Sequence, residues 1–181
     1  MFFIQLLFSL LSHADTQIPI KINWNYKNAA FEMKSYTVKD NAIVWATNNV
    51  SKLEGTPVTS IIPDSKLLMS PNRRKKFALV AYNPTNRPIY FFAAPHTASP
   101  SEHSLGFKFK CLCMNHAFKI EPKSYWYRVV EFRLSPSYKG TDLKVTHDII
   151  GIDAETAKKF EDPAQAKSPA DRLDNADHDD H

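Results

Sequence analysis

The sequence predicts an all-β chain: an immunoglobulin-like antiparallel β-sandwich with a disordered acidic C-terminal tail. Three observations point there. Short runs of period-2 apolar alternation recur through the body, turn residues separate them, and no amphipathic helix of ten or more residues interrupts them. Gly is scarce at four and Pro abundant at twelve, a balance that breaks a chain into short extended pieces and leaves no room for Gly-rich phosphate loops.

The runs can be taken in order. Ile18–Trp24 opens the series. Ser35–Thr47 holds two apolar bursts, Tyr36–Val38 and Ile43–Ala46, around Lys39-Asp40-Asn41, which reads as a hairpin or as one bent strand. Thr56–Ile62 ends at Pro63-Asp64. Lys75–Tyr82 places Phe77, Leu79 and Ala81 on one face. The segment Asn83-Pro84-Thr85-Asn86-Arg87-Pro88 is a turn, and Ile89–Ala94 returns from it. Leu105–Met114, Tyr125–Leu134 and Leu143–Ile152 complete about eight strands at the spacing of a two-sheet sandwich. Asp153–Lys159 suits one or two helical turns, and the sequence from Phe160 onward is polar enough to remain disordered.

The ends differ from the body. Phe2–Leu11 is apolar but too short to span a bilayer, and Ser12-His13-Ala14 supplies the small residues of a secretory cleavage site. Residues 1–14 thus read as a signal peptide or short anchor, 15–153 as the sandwich, and 154–181 as the tail. The expected location is periplasmic or otherwise extracytoplasmic, including a membrane surface. The tail carries eight acids against four bases, which leaves +8 on the remainder of a chain with net charge +4. Arg73-Arg74-Lys75-Lys76 concentrates that charge at a turn, where a solvated loop and a partner or lipid contact are both open. No nucleic-acid motif accompanies it. Gly-x-Ser-x-Gly and His-Glu-x-x-His are also absent, so the sequence predicts a binding protein and not an enzyme.

The chemistry centres on Cys111 and Cys113, the two cysteines of the chain. In a strand they share a face, with Cα atoms ~6–7 Å apart. That is at or beyond the ~4.4–6.8 Å of ordinary disulfides. Paired thiolates suit a soft ion, copper(I), instead. Phe107 and Phe109 have the cysteines' parity and Lys108 and Lys110 the other, so the thiols continue an apolar face toward the rim of the sandwich. Met114 and His116 are adjacent candidate ligands if a turn swings them back; His96 and His103 are weaker ones. His178 and His181, among the tail's acids, suit only weak binding of a divalent ion. The alternatives are two buried structural cysteines, a cupredoxin-like electron-transfer site of Cys, His and Met, and a metal-free envelope interaction module.

The stretch Ala81–Ile89, then Pro100, then Gly106-Phe107-Lys108-Phe109-Lys110-Cys111-Leu112-Cys113-Met114, then Pro122, resembles the CtaG-type copper chaperones of cytochrome c oxidase assembly. Leu112 and Met114 stand where that family has phenylalanine. The resemblance implies an immunoglobulin-like sandwich outside the cytoplasmic membrane, with Cys111 and Cys113 as the copper(I) pair. It also implies a metallochaperone that takes copper from a donor protein and passes it by thiolate exchange to a membrane copper-enzyme subunit. A cysteine pair at a rim can also bridge two chains as a copper-linked homodimer.

Overall fold

The computed structural model describes residues 17–112 and 116–160. Twelve strands form there: β1 (Ile18–Lys27), β2 (Met33–Val38), β3 (Thr47–Val50), β4 (Val58–Ile61), β5 (Lys66–Met69), β6 (Arg74–Tyr82), β7 (Ile89–Ala93), β8 (Thr97–Ser99), β9 (Phe107–Lys110), β10 (Phe118–Ile120), β11 (Tyr125–Leu134) and β12 (Leu143–Ile152). A short helix, α1 (Ala154–Lys158), follows. The expected leader at 1–14 and the tail from 161 lie outside the described residues.

The strands make two sheets. The first runs β10-β7-β12-β1-β5, with β8 also on β12. The second runs β3-β11-β6-β2-β4, with β9 also on β11. The sandwich is the all-β architecture that the alternation predicts. One pairing departs from it: β1 and β12 run parallel, from Ile20 opposite Leu143 to Lys27 opposite Ile150. Alternation reports which face a residue takes, not which strand lies beside it, so this pairing has no local signature.

Each long strand carries two short ones in line along one edge. On β11, Tyr125–Arg128 pair with β3 and Glu131–Leu134 with β9. On β12, Ile149–Ile152 pair with β7 and Lys144–Thr146 with β8. Between these last two ladders Ala94, Pro95 and His96 face only His147 and Asp148, a one-residue bulge. Pro95 has no N–H to donate, which suits it to a bulge, and the extra residue turns the chain at His96.

Large side chains fill the space between the sheets. Ile20, Leu67 and Phe91 from one meet Phe77, Trp126 and Phe132 from the other, all fully buried. Each contributes about 1.5–3 kcal/mol by leaving water. A second cluster lies on the outer face of β6 and β11, where Ala42 packs with Ala78, Val80, Tyr127 and Val129. The Ile43–Ala46 burst meets this cluster through Ala46, while its Ile43 is 75% exposed. It is not a strand but part of a covering loop: Trp45 takes φ 70°, and Trp45 N–H and Ala46 C=O bond to Val129.

The turn after β6 is built around Asn83, which is 0% exposed. Its Oδ1 accepts from the Thr85 N–H and hydroxyl, and its Nδ2 donates to the carbonyls of Arg87 and Ile120. Phe160, just after α1, stacks its ring on Phe92 at 5.4 Å.

Candidate metal centre

β9 ends at Lys110, and Cys111 is the next residue. The parity of Phe107 and Phe109 carries through to it: all three point inward, and Cys111 is 4% exposed. The sequence placed this thiol at an open rim; the structure places it beneath the surface. The reason is that β9 feeds its inward row into the gap between the sheets, beside the bulge of β7 and β8.

Two imidazoles meet the sulfur there. His96 comes from the bulge, and His147 from the middle of β12. Sγ of Cys111 lies 3.5 Å from Nδ1 of His96. One ligand atom each from His96, Cys111 and His147 lies within 4.8 Å of the others. With metal–sulfur bonds of ~2.3 Å and metal–nitrogen bonds of ~2.0–2.1 Å, a tetrahedral site has a sulfur–nitrogen edge of about 3.6 Å. The Cys111–His96 edge fits that length. The cluster joins the sheets, with Cys111 following the second and both histidines belonging to the first.

The surroundings are aromatic. Trp24 stacks on His147 at 5.3 Å, and Phe109 stands edge-on to the same ring at 5.4 Å. Phe107 and Phe109 flank His96. His147 is 0% exposed, while His96 is half-buried and forms the solvent-facing side. Arg128, itself 4% exposed, donates from Nε to the Cys111 carbonyl at 3.3 Å and from Nη1 to Thr47 Oγ1 at 2.7 Å. Its guanidinium lies over Phe118. The arginine therefore fixes the backbone at Cys111.

The other candidates are distributed differently. Cys113 and Met114 lie outside the described residues. His116 packs on Phe118 with ring centroids 4.4 Å apart, and His103 packs on Tyr138 at 5.0 Å. Lys108 faces outward, and Lys110 lies over the Trp45 ring. Sequence reasoning missed His147. The signal was present: Leu143, Val145, His147 and Ile149 share one parity, so an imidazole interrupts an otherwise apolar face. The ring that it meets from the bulge is His96, with centroids 5.3 Å apart.

Fold and site together define an all-β sandwich with a His–Cys–His cluster bridging its two sheets. The chain belongs to the family described as a domain of unknown function, DUF8709, which matches residues 18–152. Neither a curated protein nor a solved structure matches it.

Proposed function

We propose that this chain is an extracytoplasmic copper carrier, holding copper(I) between Cys111, His96 and His147. The supporting observation is the convergence of one sulfur and two imidazole nitrogens within 4.8 Å. Sulfur and imidazole donors suit copper and zinc and disfavour hard cations. Charge then discriminates. A thiolate and copper(I) sum to zero, whereas copper(II) or zinc leaves a net positive charge among Trp24, Phe107 and Phe109. Uncompensated charge in an apolar setting is costly, so the monovalent ion is favoured.

Copper is cargo on this reading, and delivery needs no redox step. A thiolate of the receiving protein bonds to the ion as the Cys111–copper bond breaks, and His96 offers the open side. Cys113, two residues on, is the natural relay for that exchange. The resemblance of Gly106–Met114 to CtaG-type chaperones suggests a membrane copper enzyme as the recipient.

A second reading is favoured by the same ligands. Two histidines and one cysteine are the strong ligands of blue-copper electron-transfer sites, which add a weak axial methionine. Met114 is the nearest candidate in sequence. Anaerobic copper(I) titration with mass measurement tests the carrier. One ion per chain is expected, with affinity at least about tenfold weaker in Cys111→Ser and in His96→Ala. Unchanged binding in both variants overturns it. An intense blue copper(II) form selects electron transfer instead.

A further inference from the structure

Arg133 lies directly opposite Arg74 on β6 and directly opposite Lys108 on β9. Residues opposed in a ladder share a face, and here it is the outer one, because the flanking Phe132 and Leu134 are buried. Three exposed cations thus stand in a row across three adjacent strands. At ~4.8 Å per strand the row spans about 10 Å. The next row holds Lys76, Glu131 and Lys110, so five bases accompany one acid. Among those bases, Lys76 donates to the Asp40 and Ala42 carbonyls and Lys110 lies on Trp45. Arg73 extends the charge at the turn before β6.

Like charges placed directly opposite one another destabilise a sheet. A local rule broken at the expense of stability is a mark of function. A second feature sits beside the row. Leu105, at the turn into β9, is 94% exposed. It lines one depression together with Phe107, Lys108, Arg133, Ser135 and Pro136.

We propose that this face docks on an anionic phospholipid surface. Arg74, Arg133 and Lys108 meet headgroup phosphates, and Leu105 enters the boundary between headgroups and acyl chains. The row supplies the charge that an anionic bilayer attracts, and the projecting leucine supplies apolar area that an acidic protein face would not need. The inference stands apart from the copper reading, since none of these side chains belongs to the His–Cys–His cluster. The two are joined by β9, which presents Lys108 to the bilayer and ends one residue before Cys111.

The test is co-sedimentation of the full chain with phosphatidylcholine vesicles, with and without phosphatidylglycerol, at low and high salt. The readout is the gain in binding due to phosphatidylglycerol, so that attachment through the apolar N-terminus cancels. A salt-sensitive gain is expected. It should weaken about a hundredfold when Arg74, Lys108 and Arg133 are all changed to Gln, and roughly tenfold in Leu105→Ser. The triple variant should melt no lower than the wild type, which shows that it folds. An absent gain, or an equal gain in the triple variant, overturns the proposal. Charge-dependent retention on polyglutamate without any vesicle gain also overturns it, in favour of an acidic protein partner.

Discussion

Cys111 Sγ and His96 Nδ1 approach to 3.5 Å although their backbones belong to opposite layers of the sandwich. An ion held between them is therefore a cross-link between sheets. Copper(I) should raise the thermal stability of the chain, by about 2.7 kcal/mol when free ion is a hundredfold above its dissociation constant. Anaerobic calorimetry should show this rise in the wild type and its loss in Cys111→Ser. His96→Ala should lose it as well. Because His96 is half-buried, that variant should unfold in the absence of copper within about 1 kcal/mol of the wild type.

Asn83, itself buried, is the most heavily bonded polar side chain of the turn between β6 and β7. Asn83→Ala should cost roughly 3 kcal/mol, because the Thr85 donors and the Arg87 and Ile120 carbonyls all lose a partner. Asn83→Asp should not rescue it. A carboxylate accepts from Thr85 but faces two carbonyl oxygens where Nδ2 donated. Urea unfolding of the three proteins checks the order.

Gly151 lies opposite Phe91 in the pairing of β12 with β7, and the backbone of Asn28 passes directly over it. A Cβ at this position would collide with the Asn28 carbonyl oxygen. Main chain cannot swing aside as a flexible side chain can. Gly151→Ala should therefore cost about 3 kcal/mol by separating the end of β12 from the loop after β1. The cost should appear as a lower melting temperature.

Asp153 caps α1, accepting from the Thr156 N–H at 2.6 Å. That backbone bond, with a second contribution from the Thr156 side chain, holds its carboxyl below the usual carboxylate range. The contribution is fully present above the unfolded value of about 3.9 and is lost as pH falls through the lower folded value. Asp153→Ala should thus melt below the wild type at neutral pH, and the difference should close under acid conditions. Paired melting curves across that range test the sign.

Much of the fold was legible because alternation is a local record of burial. Phe77, Leu79 and Ala81 face inward as their spacing indicates, and the inward parity of Phe107 and Phe109 carries through to Cys111. What escaped is what depends on partners distant in sequence. The parallel match of β1 with β12 joins residues more than a hundred positions apart. The outer cluster made Ile43–Ala46 look like a strand, because a loop covering an apolar sheet face is also apolar. The site was half legible: Cys111 by its spacing from Cys113, but not its neighbours. His96 depends on a bulge that is visible only once β7 and β8 share β12, and His147 on the same pairing.

The zipper between β1 and β12 has a bearing on when the molecule could take up an ion at the proposed site. His147 sits on β12, the last strand among the described residues, and β1 waits for that strand to complete its own ladder. A partly synthesised or partly folded chain owns a thiol but no pair of imidazoles around it. Metal occupancy would then act as a certificate of completed closure, issued only to chains in which β1 and β12 have met.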